Sequence, residues 1–155
     1  MYTYHGDYQQ KVMAFFVGLL RNDPYLQTKQ AQRVHPDHLS TLENPVYPCT
    51  TFYRVGRGSD PSFAELDNPI LLIDVWSKRG KQELCDIYAS KDSVSGRPVG
   101  IRSLITNKGF DIPEAIIQLV REIWVDDNLY ESWSRTHHLQ ARFDITVSAK
   151  TLVVP

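Results

Sequence analysis

Tyr8, Val12, Phe15, Phe16 and Leu19 fall at i, i+4, i+7, i+8 and i+11, which is one face of a helix. Asp7 with Gln10 three residues on fits a capping box at its start. Asn22-Asp23-Pro24 ends it, because the residue before a proline resists helical angles. From Tyr25 to Pro48 the chain is polar, carries Pro36, Pro45 and Pro48, and reads as a connector with little regular structure. The period then changes to two. Tyr47, Cys49, Thr51, Tyr53 and Val55 alternate with Pro48, Thr50, Phe52 and Arg54, and the β-branched and aromatic content predicts a strand. Pro48 suits the strand start, where a missing donor is tolerated. Gly56-Arg57-Gly58-Ser59-Asp60-Pro61 is turn chemistry and opens a mobile loop expected over about 56–68. Ile70 to Ser77 is apolar on both faces, as a central strand is. The two strands are most simply a long antiparallel hairpin.

Gly80 opens a second helix carrying Leu84, Ile87 and Tyr88, and Gly96-Arg97-Pro98 breaks the chain after it. A short helical piece is expected around Ile101, Leu104 and Ile105, with Pro98 near its start. Asp111 to Val125 is ambiguous. Ile112, Ile116, Leu119, Val120 and Ile123 match a helix, and Asp111 with Glu114 fits a capping box. Yet Ile117, Leu119, Arg121, Ile123 and Val125 alternate as a strand. A strand from about Leu119 to Asp126, after a helical turn, is the reading adopted. It supplies a neighbour, through a turn at Asp127-Asn128 and the segment to Thr136, for the clearest half-buried strand in the chain. In that strand Leu139, Ala141, Phe143, Ile145 and Val147 alternate with polar residues. Thr151 to Pro155 form an apolar tail suited to docking on a partner subunit. The product is a single α+β domain over 1–155: a long N-terminal helix and one or two shorter ones packed on about four mostly antiparallel strands.

The 155 residues suit one domain, and 42% hydrophobic with 11% aromatic content builds a core. A formal net charge of -1 argues against binding nucleic acid by bulk charge. Val12 to Leu20 is too short for a membrane span, and the polar opening at His5-Gly6-Asp7 lacks a basic leader. The expectation is a soluble, unprocessed chain with no membrane partner. Cys49 and Cys85 make no disulfide framework, which fits a reducing cytoplasm.

Each cluster of reactive residues has an ordinary explanation that outweighs the chemical one. His35-Pro36-Asp37-His38 places two histidines around a proline in an irregular segment, a poor metal site. His137 and His138 are adjacent in a strand and point to opposite faces, so a core or interface role is favoured. Asp126-Asp127 resembles half a carboxylate metal site but reads better as a turn before Asn128. Asp74, an acid in an apolar strand, needs a partner. A nuclease core would want an acid-x-Lys tripeptide beyond it, whereas Lys78 is the nearest lysine, so Asp74 is expected at an edge or a subunit contact. Gly56-Arg57-Gly58-Ser59 and Ser77-Lys78-Arg79-Gly80-Lys81 only faintly resemble phosphate loops. No catalytic residue, cofactor site or metal site is assigned. Arg54, Arg57, Lys78, Arg79 and Lys81 gather around the strand ends as a solvated rim or a charged contact surface. Trp76 and Trp124 suit the core, and Trp133 in its polar stretch suits an interface anchor.

Leu72-Ile73-Asp74-Val75-Trp76-Ser77 is followed at once by a helix carrying Glu83, Asp86 and Ile87. An N-terminal helix and the strand at Tyr47-Pro48-Cys49-Thr50-Thr51-Phe52 precede them, and a His-x-x-x-Arg-Phe strand (His138, Arg142, Phe143) closes the domain. From about Tyr8 to Val147 this layout resembles the tail-completion family of long-tailed bacteriophages, also called tail terminator or head-to-tail joining proteins. The resemblance implies a non-enzymatic structural virion protein, assembled in the host cytoplasm into the tail neck. Copies of it would form a hexameric ring that caps the tail tube protein and meets the head connector or head completion protein. Genome DNA would pass through the ring without sequence-specific binding. Arg57, Ser59, Asp60, Asp74, Lys78, Arg79 and Trp133 are the expected interface residues. The alternatives are a small metal-dependent nuclease or a nucleic-acid-binding module.

Overall fold

The apolar run ending at Ser77 lies at the heart of a six-stranded sheet, where water reaches neither of its faces. A computed structural model describes residues 2–4, 8–36, 38–59 and 66–153, those at 2–4, 55–59, 66–68 and 151–153 by backbone alone. In chain order, β1 is Tyr2–Tyr4, α1 Tyr8–Arg21, α2 Pro24–Gln30, β2 Val34–His35 and β3 Cys49–Ser59. Then follow β4 Leu66–Ser77, α3 Lys81–Tyr88, β5 Ser90–Lys91, β6 Pro98–Val99 and α4 Ile101–Ile105. The chain closes with β7 Phe110–Ile112, β8 Ala115–Glu131, β9 Thr136–Ala149 and β10 Thr151–Val153. The sheet order is β2-β3-β4-β9-β8-β7, and two short pairs, β1-β10 and β5-β6, stand apart from it. The fold is α+β. Its sheet is larger than the four strands expected, and it is mixed, because β2 runs parallel to β3.

The proline that ends α1 also begins α2. Asp23 accepts the amide proton of Leu26 at 3.0 Å, and Pro24 occupies the first helical turn with its φ already set. The supposed connector from Tyr25 to Pro48 is therefore structured, by α2, β2 and a 3-10 turn at Leu39–Thr41. The carbonyl of Val34 accepts from the Arg21 guanidinium at 2.6 and 2.9 Å, holding β2 against α1. Asp7 lies outside the described residues, so its capping role is not visible.

β3 and β4 form the long antiparallel hairpin, with Cys49 opposite Trp76 and a bulge between Val55 and Arg57. The ladder runs on to Ser59 opposite Asp67. Residues 56–59 and 66–68, expected in a mobile loop, thus belong to strands, and 60–65 lie outside the described residues. The expected helical turn after Asp111 is instead β7, which turns at Pro113-Glu114 into β8. β8 does not turn at Asp127-Asn128 but continues to Glu131, and the reversal falls at Ser132 to Arg135. The tail from Thr151 pairs with β1, Tyr2 opposite Val153, and residues 154–155 lie outside the described residues.

One face of the sheet is packed by the helices. Phe16, Leu20 and Leu26 close over Phe52, Ile73 and Phe143, all fully buried. Among the described residues, no helix is long and apolar enough to cross a membrane. Gly100 caps α4 at φ 104 and ψ -176, and a Cβ there would meet the carbonyl oxygens of Ile87 at 2.7 Å and Tyr88 at 2.8 Å. Gly96, at φ 70, would meet nothing within 4 Å. Gly100→Ala should therefore lose about 2 kcal/mol or more in urea melts, from a backbone region open only to glycine plus a clash with main chain. Gly96→Ala should lose about 1 kcal/mol; equal losses would contradict the tight approach of α4 to α3.

Candidate functional site

The other face of the sheet holds the most unusual chemistry in the chain. Asp74 is wholly buried, so it lies neither at an edge nor at a surface contact. Strand alternation turns it away from Ile73 and Val75, off the helix-covered face and onto the row of Thr51 and Gln140. The same row arithmetic sets Trp76 beside Cys49 and His138. Nε2 of His138 lies 3.0 Å from Oδ1 of Asp74, an ion-pair distance without the alignment of a directed hydrogen bond. The His138 ring stacks on Trp76, 3.9 Å between centroids and 7° from parallel. The Trp76 indole donates to the Thr51 hydroxyl at 2.9 Å. Glu131 stands 3.6 Å from Nδ1 of His138 and accepts from the Trp133 indole at 3.1 Å.

Burial pushes the Tyr53 hydroxyl up, and the charge of the neighbouring Asp74 adds to that effect. Burial likewise pushes the Cys49 thiol up to about 12, against a small opposing pull from Arg33. Leu39, Leu42 and Tyr47 cover this end of the face. The site is a sealed joint: His138 and Asp74 have the identity of a catalytic pair, but the indole and the strands leave no room for a substrate against them.

The remaining expected residues separate. Arg54 stands opposite Leu71, and Arg57 opposite Pro69, toward residues 60–65. Lys78, Arg79 and Lys81 follow the opposite end of β4. The seven strand residues from Leu71 to Ser77, about 20 Å, divide the two groups, so the five cations make no single patch. Lys78 lies over the Tyr47 ring at 5.1 Å, and Arg79 pairs with Glu83 at 3.7 Å. The Ser77 hydroxyl accepts the amide protons of Arg79 (2.9 Å) and Gly80 (3.3 Å) and donates to Glu83 at 2.7 Å. The phosphate-loop resemblance of this turn dissolves there, since its own side chains occupy the amides. The side chains of Arg57 and Ser59 are outside the description, and Asp60 lies outside the described residues altogether. Trp133 is 57% exposed and meets Trp76 edge-on.

His35 is half-buried in β2, its imidazole pushed down by burial and by Arg21 and Arg33. His38 caps the 3-10 turn through the Ser40 amide, and Asp37 lies outside the described residues. Asp126 accepts from the Asn128 amide at 2.9 Å, while Asp127 pairs with Lys81 at 3.4 Å. Among the described residues no three of His, Cys, Asp and Glu gather in a way that would hold a metal ion.

Sequence reasoning missed a row on β8. Ile116, Leu119 and Trp124 sit opposite Ser148, Thr146 and Arg142 of β9, on the face away from the helices, and Ile123 lies beside them in a bulge. They are 43%, 42%, 44% and 51% exposed, respectively for Ile116, Leu119, Trp124 and Ile123. Trp124, expected in the core, is thus on the surface. Tyr130 (57% exposed) stands opposite His137 and so faces the other side of the sheet. The run of large apolar side chains was visible; its outward direction was not, because bulges reset which residues face in. The sequence matches no known protein-family model and no curated protein.

Two measurements test the joint. Asp74→Ala should cost about 3–5 kcal/mol, because it leaves His138 buried without its partner. Combining it with His138→Leu should cost much less than the two separate losses; additive urea melts would show that the two groups do not interact. Cys49, fully buried and with its thiol pushed up, should stay unreactive toward a thiol reagent until the fold is opened by urea. Rapid labelling in native buffer would contradict its burial.

Proposed function

We propose that this chain is a structural subunit of the head–tail junction of a long-tailed bacteriophage, a tail terminator that assembles into a ring on the end of the tail tube. The observation that carries this reading is the exposed apolar row of Ile116, Leu119, Ile123 and Trp124 on an uncovered sheet face. Soluble chains seldom leave contiguous large side chains in water unless another surface covers them. A sheet face rimmed by Arg121, Asp144 and Arg142 offers a broad contact surface. The near-neutral charge suits close packing of many copies around a channel. The resemblance of the β4–α3 segment and of the closing strand to tail-completion proteins supplies the kind of assembly: copies of the chain, a tail tube below and a head connector above, with DNA passing through unread.

Ile123→Asp combined with Trp124→Asp should leave far-UV circular dichroism and the urea midpoint close to wild type, since both positions already face water. The same variant should fail to join heads to tails when added to tails that lack the subunit, scored by electron microscopy and by infectious titre. Normal joining by this variant would remove the row from the function. Metal-dependent cleavage of DNA by the purified chain would replace the structural reading with the nuclease alternative.

A further inference from the structure

The sheet has two unequal edges with open backbone. β2 covers β3 only at Thr50 and Thr51, so among the described residues Phe52 to Ser59 have no strand on their outer side. β7 covers β8 at Ala115, Ile116 and Ile117, and Lys108 and Asn107 close the pairing at Val120. From Arg121 to Glu131, β8 has no strand beyond it among the described residues. An uncovered edge presents a row of unpaired amides and carbonyls that another strand can complete.

We infer that the ring contact is strand addition between copies, the outer edge of β3 in one subunit pairing antiparallel with the outer edge of β8 in the next. The inference rests on the ring reading above and names the contact that would close it. Three observations select a second copy as the occupant. The first is direction. β3, β4, β9 and β8 alternate, so β8 runs opposite to β3, and joining those edges continues the sheet as an antiparallel one. The second is charge. Phe52 to Ser59 carries Arg54 and Arg57 and no acid, whereas Arg121 to Glu131 carries Glu122, Asp126, Asp127 and Glu131 against Arg121 alone. Arg54, Leu71, Phe143 and Glu122 make one transverse row, so Arg54 and Glu122 share a face of the sheet; Glu122 already pairs with Arg102 at 3.0 Å and Asp127 with Lys81 at 3.4 Å, so the exposed Arg54 of one copy would extend an existing network of ion pairs in the next. The third is asymmetry. A basic edge repels itself and so does an acidic one, which disfavours a two-fold dimer and favours a head-to-tail contact that closes by rotation.

Each edge can be blocked separately. Arg54→Glu makes the β3 edge acidic, and Ile123→Lys places a cation on the β8 edge where β3 brings its own. Wild-type rings are collected in solution, or on tails lacking the subunit, and sized by native mass spectrometry or counted by electron microscopy. Each variant alone should lose the ring and remain monomeric with native circular dichroism. An equimolar mixture of the two should recover rings in which the variants alternate, because the new acid of one meets the new cation of the other. In wild-type rings, amide exchange should slow about tenfold or more over 52–59 and 121–131 relative to the monomer. Rings that form normally from either variant, or rings without protection at those two segments, overturn the strand-addition contact while leaving the ring reading intact. Absence of any wild-type ring, in solution and on tails, would sink the ring reading itself.

Discussion

β4 has protein on both sides, and that double covering organises the molecule. On one side it needs only apolar partners, which α1, α2 and α3 supply through Phe16, Leu26 and Leu84. On the other it carries Asp74 and Trp76 into a space without water, where a lone carboxylate would cost several kcal/mol. The chain meets that constraint with residues from distant segments: His138 from β9, Thr51 and Tyr53 from β3, and the cover of Leu39 and Tyr47. The register of the four long strands is therefore fixed twice, by apolar alternation on the helix side and by polar matching on the other. A slip of one residue would bring the carboxylate among the leucines.

The same covering explains which expectations the sequence could and could not support. The amphipathic α1, the β3–β4 hairpin, the central place of β4 and the clean alternation of β9 are legible because each repeats one period over many residues. The contacts of Asp74 are not legible, because its partner lies more than sixty positions away and nothing local marks the pairing. α2 and β2 were hidden by their length: seven and two residues give no period to read. Asp23-Pro24 was read as a stop only, although the same pair caps and starts a helix.

β8 shows a different kind of failure. Its ladder to β9 shifts between Ile117 and Leu119, between Glu122 and Trp124, and between Asp126 and Leu129. Every shift inserts an extra residue, so inward positions come two apart and then three, as at Ala115, Ile117 and Val120. The same bulges put the outward Ile116, Leu119 and Ile123 three and four apart, the spacing of a helix, which is why the segment matched both patterns. The bulges also twist the strand and blunt its outer edge against unselective pairing. That is the sort of protection an edge would need if it must accept one partner and refuse others.

The Ser77 hydroxyl binds the two amides that follow β4 and the carboxylate of Glu83 inside α3, so the corner between strand and helix has no slack. Tension applied along β4 would pass straight into α3 and from there, through Tyr88 and Glu122, into β8. Such a corner behaves as a welded bracket rather than a tether, and a pull on one end of β4 reaches the far strand without any of the links stretching.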